Sequence, residues 1–100
     1  MKKVTDETFE QEVLNSEIPV LVDFFTTWCG PCKLQAPILK DLYGESDTIK
    51  VVKFNAEGSE IADEYDVTCV PTLMLFKDGK KIDKREGLQS KKNLEEWLKE

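Results

Sequence analysis

Two stretches of the chain are nearly unbroken runs of apolar side chains. Val20-Leu21-Val22-Asp23-Phe24-Phe25 and Val70-Pro71-Thr72-Leu73-Met74-Leu75-Phe76 are short and rich in valine, leucine and phenylalanine, and they read as buried strands. Ile49 to Asn55, centred on Val51 and Val52, predicts a third strand, and Lys2 to Val4 a short first one. Lys80 to Glu86 sets Ile82 among charged residues, as in a partly exposed edge strand. Asp78-Gly79, just before it, is a hairpin-turn pair, and Gly87 ends the strand.

Helical spacing fills the intervals. Leu34, Ile38 and Leu42 recur every four residues, with Leu39 and Tyr43 alongside, predicting an amphipathic helix that stops near Gly44. Pro37 lies inside it and removes a bond to the carbonyl of Lys33, so a kink is expected. Thr8 and Gln11 have capping-box spacing ahead of Phe9 and Val13, which predicts an earlier helix running to about Ser16. Ser59 suits the cap of a short helix carrying Ile61 and Tyr65. Ser90 suits that of a last helix with Leu94, Trp97 and Leu98 on one face. The Lys91-Lys92 pair reads as its solvated side. The order β-α-β-α-β-α-β-β-α implies an α/β fold, with helices on both faces of a mixed sheet. There are no repeats and no linker, and 100 residues make one domain spanning 1–100.

Composition narrows the function by exclusion. Apolar residues make up 40% of the chain and charged ones 34%, an ordinary soluble balance. A net charge of −6 argues against nucleic acid or an anionic membrane as partner. No apolar run has the length of a membrane span, and the lysines at the start have no apolar segment behind them. As a full-length product the chain is expected in the cytoplasm, where paired cysteines are redox-active or metal-binding more often than structural.

The chemistry concentrates in Trp28-Cys29-Gly30-Pro31-Cys32-Lys33, where the second strand turns into the long helix. Gly30 permits the tight turn and Pro31 suits a first helical turn. Cys29 then falls at the helix N-terminus, where unpaired amides favour negative charge, and the thiolate is the nucleophile. Cys32, one turn deeper, is expected to be shielded and less acidic, so Cys29 attacks and Cys32 resolves. A metal site is the alternative. With no histidine and three cysteines, zinc would need an acidic fourth ligand or a second chain. Asp23, flanked by apolar residues, is expected to be buried and hard to ionise.

Asp23, the Trp-Cys-Gly-Pro-Cys-Lys motif, Pro37, Val70-Pro71-Thr72, Gly79 and Gly87 together resemble the thioredoxin family over essentially the whole chain. The resemblance implies a five-stranded thioredoxin fold and general dithiol reduction of protein disulfides. It also implies recharging by a thioredoxin reductase, no bound cofactor, and a chain acting as a monomer. By the same resemblance, Asp23 matches a buried carboxylate beneath the resolving cysteine and Lys53 a lysine near it. Pro71 matches a cis-proline facing the disulfide. Val70 matches the backbone that pairs with substrate, Trp28 the aromatic beside the site, and Gly79 and Gly87 turn and docking-surface glycines. The intervening Gly30-Pro31 is the family's reducing variant.

Four residues depart from the family pattern. Phe25 stands where tryptophan is frequent, and Thr26 and Thr27 make the approach to the motif more polar. Cys69 is a third cysteine that many members lack, and it is expected to be a spectator. Two other functions fit the same motif: a thioredoxin-like protein dedicated to one partner, and a non-catalytic binding subunit. An isomerase or oxidant is a further alternative on chemical grounds.

Overall fold

The computed structural model describes residues 1–99. Five strands, β1 (Lys2–Val4), β2 (Val20–Phe25), β3 (Lys50–Asn55), β4 (Thr72–Lys77) and β5 (Lys80–Glu86), form one sheet in the order β1-β3-β2-β4-β5. The first three run parallel; β4 is antiparallel to β2, and β5 to β4. The helices are α1 (Gly30–Tyr43), α2 (Glu60–Glu64) and α3 (Lys91–Leu98), with a π-helical turn at Glu10–Leu14. This is the mixed sheet with helices on both faces that the hydrophobic pattern predicts. No described helix is long and apolar enough to cross a membrane.

Strand alternation divides the core in two. Val20, Val22 and Phe24 of β2 face the layer of the π-helical turn and α2, packing with Val52, Phe54, Met74 and Phe76. Phe9 binds this side together: its ring lies 5.5 to 5.8 Å from those of Phe54, Tyr65 and Phe76. Leu21 of β2 faces the other way, with Leu39 of α1, Leu73, and Leu94 and Trp97 of α3. By the same alternation Asp23 shares the α1 side with Leu21. That parity decides what it does.

The predicted caps at Ser59 and Ser90 are present: each hydroxyl accepts the backbone N–H three residues on, at 3.0 and 3.1 Å. Asp78 and Gly79 both have positive φ, +53° and +78°, as their hairpin turn requires. Trp97 is buried, and its indole N–H donates to Asp83 at 2.8 Å.

Three expectations fail. Thr8 does not cap a helix through Gln11; its hydroxyl instead accepts the N–H of Thr5 at 3.0 Å and closes a turn upstream. The helical residues that follow are wound more widely, with Asn15 N–H bonding to Glu10 five residues back. On α1 the buried stripe is Cys32, Gln35 and Leu39, whereas Leu34 is 61% exposed. The motif fixes this rotation: Cys32 must face the sheet, and positions three and seven residues on follow it. Val70 and Pro71 lie before β4, which begins at Thr72: the peptide between them is cis, and Pro71 has no N–H to give to a ladder.

Candidate active site

One end of the sheet gathers the predicted residues. The register sets Phe24 opposite Thr72, and Thr72 opposite Glu86. The turn after β2, the loop before β4 and the segment after β5 therefore emerge side by side. The first carries Trp28 and Cys29, the second Val70 and Pro71, the third Gly87. The N–H of Gly87, whose φ is +87°, donates to the carbonyl of Pro71 at 2.8 Å and joins the last two.

Cys29 is the N-cap of α1 and Pro31 lies in the first turn. Cys29 and Cys32 are joined in a disulfide with their Cα atoms 5.3 Å apart. The Sγ of Cys29 accepts the backbone N–H of Cys32 at 3.1 Å, so the cap that a serine hydroxyl makes elsewhere is made here by sulfur. In this bonded form the two cysteines are almost equally buried, at 6% and 5%. The shielding expected of Cys32 alone thus extends to both. What separates them is the amide on Cys29 and the interior beyond Cys32.

That interior holds a carboxyl group without a hydrogen-bond partner. Asp23 is 1% exposed, and neither carboxylate oxygen has a hydrogen-bond partner among the described residues. Burial pushes its carboxyl up to about 7 against the opposing pull of the Lys53 ammonium. Lys53 stands beside Asp23 in register on β3 and, half-buried, places its Nζ 5.1 Å over the Phe25 ring. Asp23, Lys53 and Cys32 line one small cavity of about 210 Å³, together with Phe25, Thr26 and Ala36. The Thr26 hydroxyl is likewise buried and unpaired. Cavity, acid and inner cysteine thus form one compartment.

The rest of the surface is open. Trp28 is 74% exposed, Gly30 and Pro31 are exposed, and Val70 is half-buried over buried Pro71. Cys69 is free and exposed, its carbonyl accepting the Thr72 hydroxyl at 2.7 Å. Gly79 is at the hairpin joining β4 to β5, away from this end of the sheet.

Two contributors do not show in the sequence motifs. Glu57 accepts both the N–H and the hydroxyl of Thr27, at 2.7 and 2.8 Å, and so fixes the turn that presents Trp28. These bonds hold the Glu57 carboxyl below the usual range. Gln35, three residues beyond Cys32, is fully buried and bonds to Gln89 through both ends of its amide. Its place in the 32, 35, 39 stripe was the available signal, since a polar residue there has to find a partner.

The Thioredoxin family model matches residues 1–100. The chain is 46% identical over 100 residues to thioredoxin of Rickettsia typhi, covering 98% of this chain and 95% of that one. It is 48% identical over 97 residues to thioredoxin 1 of Synechococcus elongatus, covering 95% and 91% respectively. With thioredoxin of Porphyra purpurea the figure is 44% over 100 residues, covering 98% and 94%. The bonded Cys-Gly-Pro-Cys pair at the head of α1 is the redox centre such relatives would require, and the chain belongs to the thioredoxin family as a thiol–disulfide oxidoreductase.

Proposed function

We propose that the chain is a general reductant of protein disulfides, working from its dithiol form with Cys29 as nucleophile and Cys32 as resolving thiol. The observation that carries this is the unequal surroundings of the pair. A backbone amide and the start of a helix favour negative charge on the Cys29 sulfur, while Cys32 opens onto the cavity of Asp23.

Cys29 thiolate attacks one sulfur of the substrate disulfide, forming a mixed disulfide and releasing the other sulfur as a thiolate. Cys32 gives its proton to Asp23, whose carboxylate is a competent base near neutral pH because burial raises it to about 7. The Cys32 thiolate attacks the Cys29 sulfur, restores the Cys29–Cys32 bond and expels the second substrate thiolate. Two electrons have moved to the substrate, whose thiolates take up protons. A cavity of about 210 Å³ with unpaired oxygens from Asp23 and Thr26 has room for water to carry the proton. Lys53 tunes the acid.

Substrate lies over Pro71 as an extended segment paired with the Val70 backbone, flanked by Trp28 and Gly87, with Gly30 and Pro31 beneath it. A thioredoxin reductase returns the dithiol. The protein works as a monomer in the cytoplasm, and the whole of 1–100 acts as one domain.

Mixed-disulfide trapping tests the division of labour. Cys32→Ser should accumulate covalent adducts with disulfide-containing proteins, and Cys29→Ser should form almost none. Equal trapping by both variants refutes the assignment.

A further inference from the structure

Gln35 lies mid-helix, three residues past Cys32, and is 0% exposed. Thiol–disulfide exchange as derived above gives it no task, and a buried amide is costly unless its hydrogen bonds are made. They are made to a single residue. Oε1 accepts the N–H of Gln89 at 2.7 Å, and Nε2 donates to the carbonyl of Gln89 at 3.1 Å. The two bonds close a ring on one backbone unit, as a neighbouring strand would.

From Gln89 the connection continues. Its own Nε2 donates to the carbonyl of Gly87 at 3.1 Å and, more weakly, to that of Glu86 at 3.4 Å. Gly87 N–H then holds the Pro71 carbonyl at 2.8 Å. A continuous path thus runs from the helix that carries the cysteines to the cis-proline loop. The segment from Gly87 to Ser90 is irregular, with no sheet or helix to hold it. Among the described residues, Gln35 and the Gly87–Pro71 bond are its hydrogen-bonded ties to α1 and to the loop before β4.

We propose that Gln35 is a positioning residue that sets the Pro71 loop against the head of α1 and so determines affinity for protein disulfides. The inference rests on the reading of Val70 and Pro71 as the segment that holds substrate. An extended protein segment must meet the loop and the Cys29 sulfur together, so displacement of one against the other weakens binding. A small disulfide meets only the sulfur and is indifferent to the loop.

The test is steady-state reduction of a disulfide-containing protein by wild type, Gln35→Met, Gln89→Ala and Val70→Gly. A small aromatic disulfide and the pH titration of thiol alkylation are measured in parallel. Gln35→Met keeps the side-chain volume and removes both bonds. Its KM for the protein substrate should rise about fivefold with kcat within about twofold, the pattern of lost uniform binding. Reaction with the small disulfide and the alkylation profile should be unchanged. Gln89→Ala, a change at a half-buried position, keeps both bonds from Gln35 to the Gln89 backbone but cuts the next link, to Gly87, and should raise KM about two- to threefold in the same way; Gln35→Leu, which also lacks both bonds, takes its place should Gln35→Met not fold. A lowered melting temperature with wild-type KM would make Gln35 a brace for the fold alone and overturn the proposal. So would equal losses toward small and protein disulfides. Wild-type KM in Val70→Gly would refute the loop reading and the proposal with it; a raised KM there, beside wild-type kinetics in Gln35→Met and Gln89→Ala, would refute the proposal alone.

Discussion

Replacing Asp23 by asparagine should make the protein more stable, and by an amount that depends on pH. The carboxyl titrates at 3.8 when unperturbed and at about 7 in the folded chain, because burial opposes its charge more than Lys53 assists it. Between those values the native state holds a proton that the unfolded state has released, so stability falls as pH rises through this window. Above about 7 the cost is complete. The gap of roughly 3 pH units, at about 1.4 kcal/mol each, amounts to about 4 kcal/mol. Asparagine leaves a polar group of similar size in the same place but never ionises, so the burial cost of the neutral group nearly cancels in the comparison. Asp23→Asn should therefore gain about 4 kcal/mol at pH 8.5 and less than about 1 kcal/mol at pH 4. The oxidised protein is the form to measure, since Cys29 and Cys32 are bonded and do not titrate. Guanidinium midpoints at both pH values, with an unchanged denaturant slope, give the two numbers. A variant whose advantage is the same at pH 4 and pH 8.5, or which is less stable at pH 8.5, would show that Asp23 pays no ionisation penalty. The same substitution removes the acceptor for the Cys32 proton, so mixed disulfides should persist longer while their formation is little altered.

Lys53→Met removes the ammonium that lowers the Asp23 carboxyl, so the alkaline loss of stability should extend to higher pH than in wild type. Loss of its contact with the Phe25 ring should add a uniform cost of about 0.5–1 kcal/mol; a pH profile superimposable on wild type would refute the coupling. Cys69 is exposed and unbonded, so mild oxidant should yield a covalent dimer beside the intramolecular bond. Cys69→Ser should abolish the dimer on non-reducing gels and keep disulfide reductase activity, whereas activity at background would put Cys69 in the catalytic set.

The two apolar runs were sufficient to find β2 and β4 because strands covered on both faces carry almost nothing but apolar side chains. Asp23 was legible for the same reason, as the one charge in such a run. Its place beneath Cys32 came from the family resemblance and not from the pattern, and its lack of a hydrogen-bond partner from neither, since both depend on how α1 sits on the sheet. Leu34 shows the limit of periodicity. A leucine every four residues describes a helix face, yet the cysteine that must face the sheet sets the rotation, which left Leu34 in solvent and Gln35 inside. Thr8 misled similarly: its spacing to Gln11 fits a cap, but a hydroxyl has one local geometry at a time, and the Thr5 amide was nearer. Glu57 and Gln35 act on residues 30 and 54 positions away in sequence: the helical stripe could mark Gln35 as a buried amide needing a partner, but no local pattern names that partner or announces Glu57.

The sheet order bears on how the chain assembles. Hairpin β4–β5 closes through Asp78-Gly79 alone, whereas among the described residues β1 has only β3 for a neighbour, with Lys2 aligned to Val52. Bringing ends together across about fifty residues rather than two costs roughly 3 kcal/mol more in closure entropy. Strand β1, which precedes β3 by about fifty residues, must therefore wait for that length of chain before it can pair with it. Its brevity and its two lysines, Lys2 and Lys3, keep it soluble in the interval.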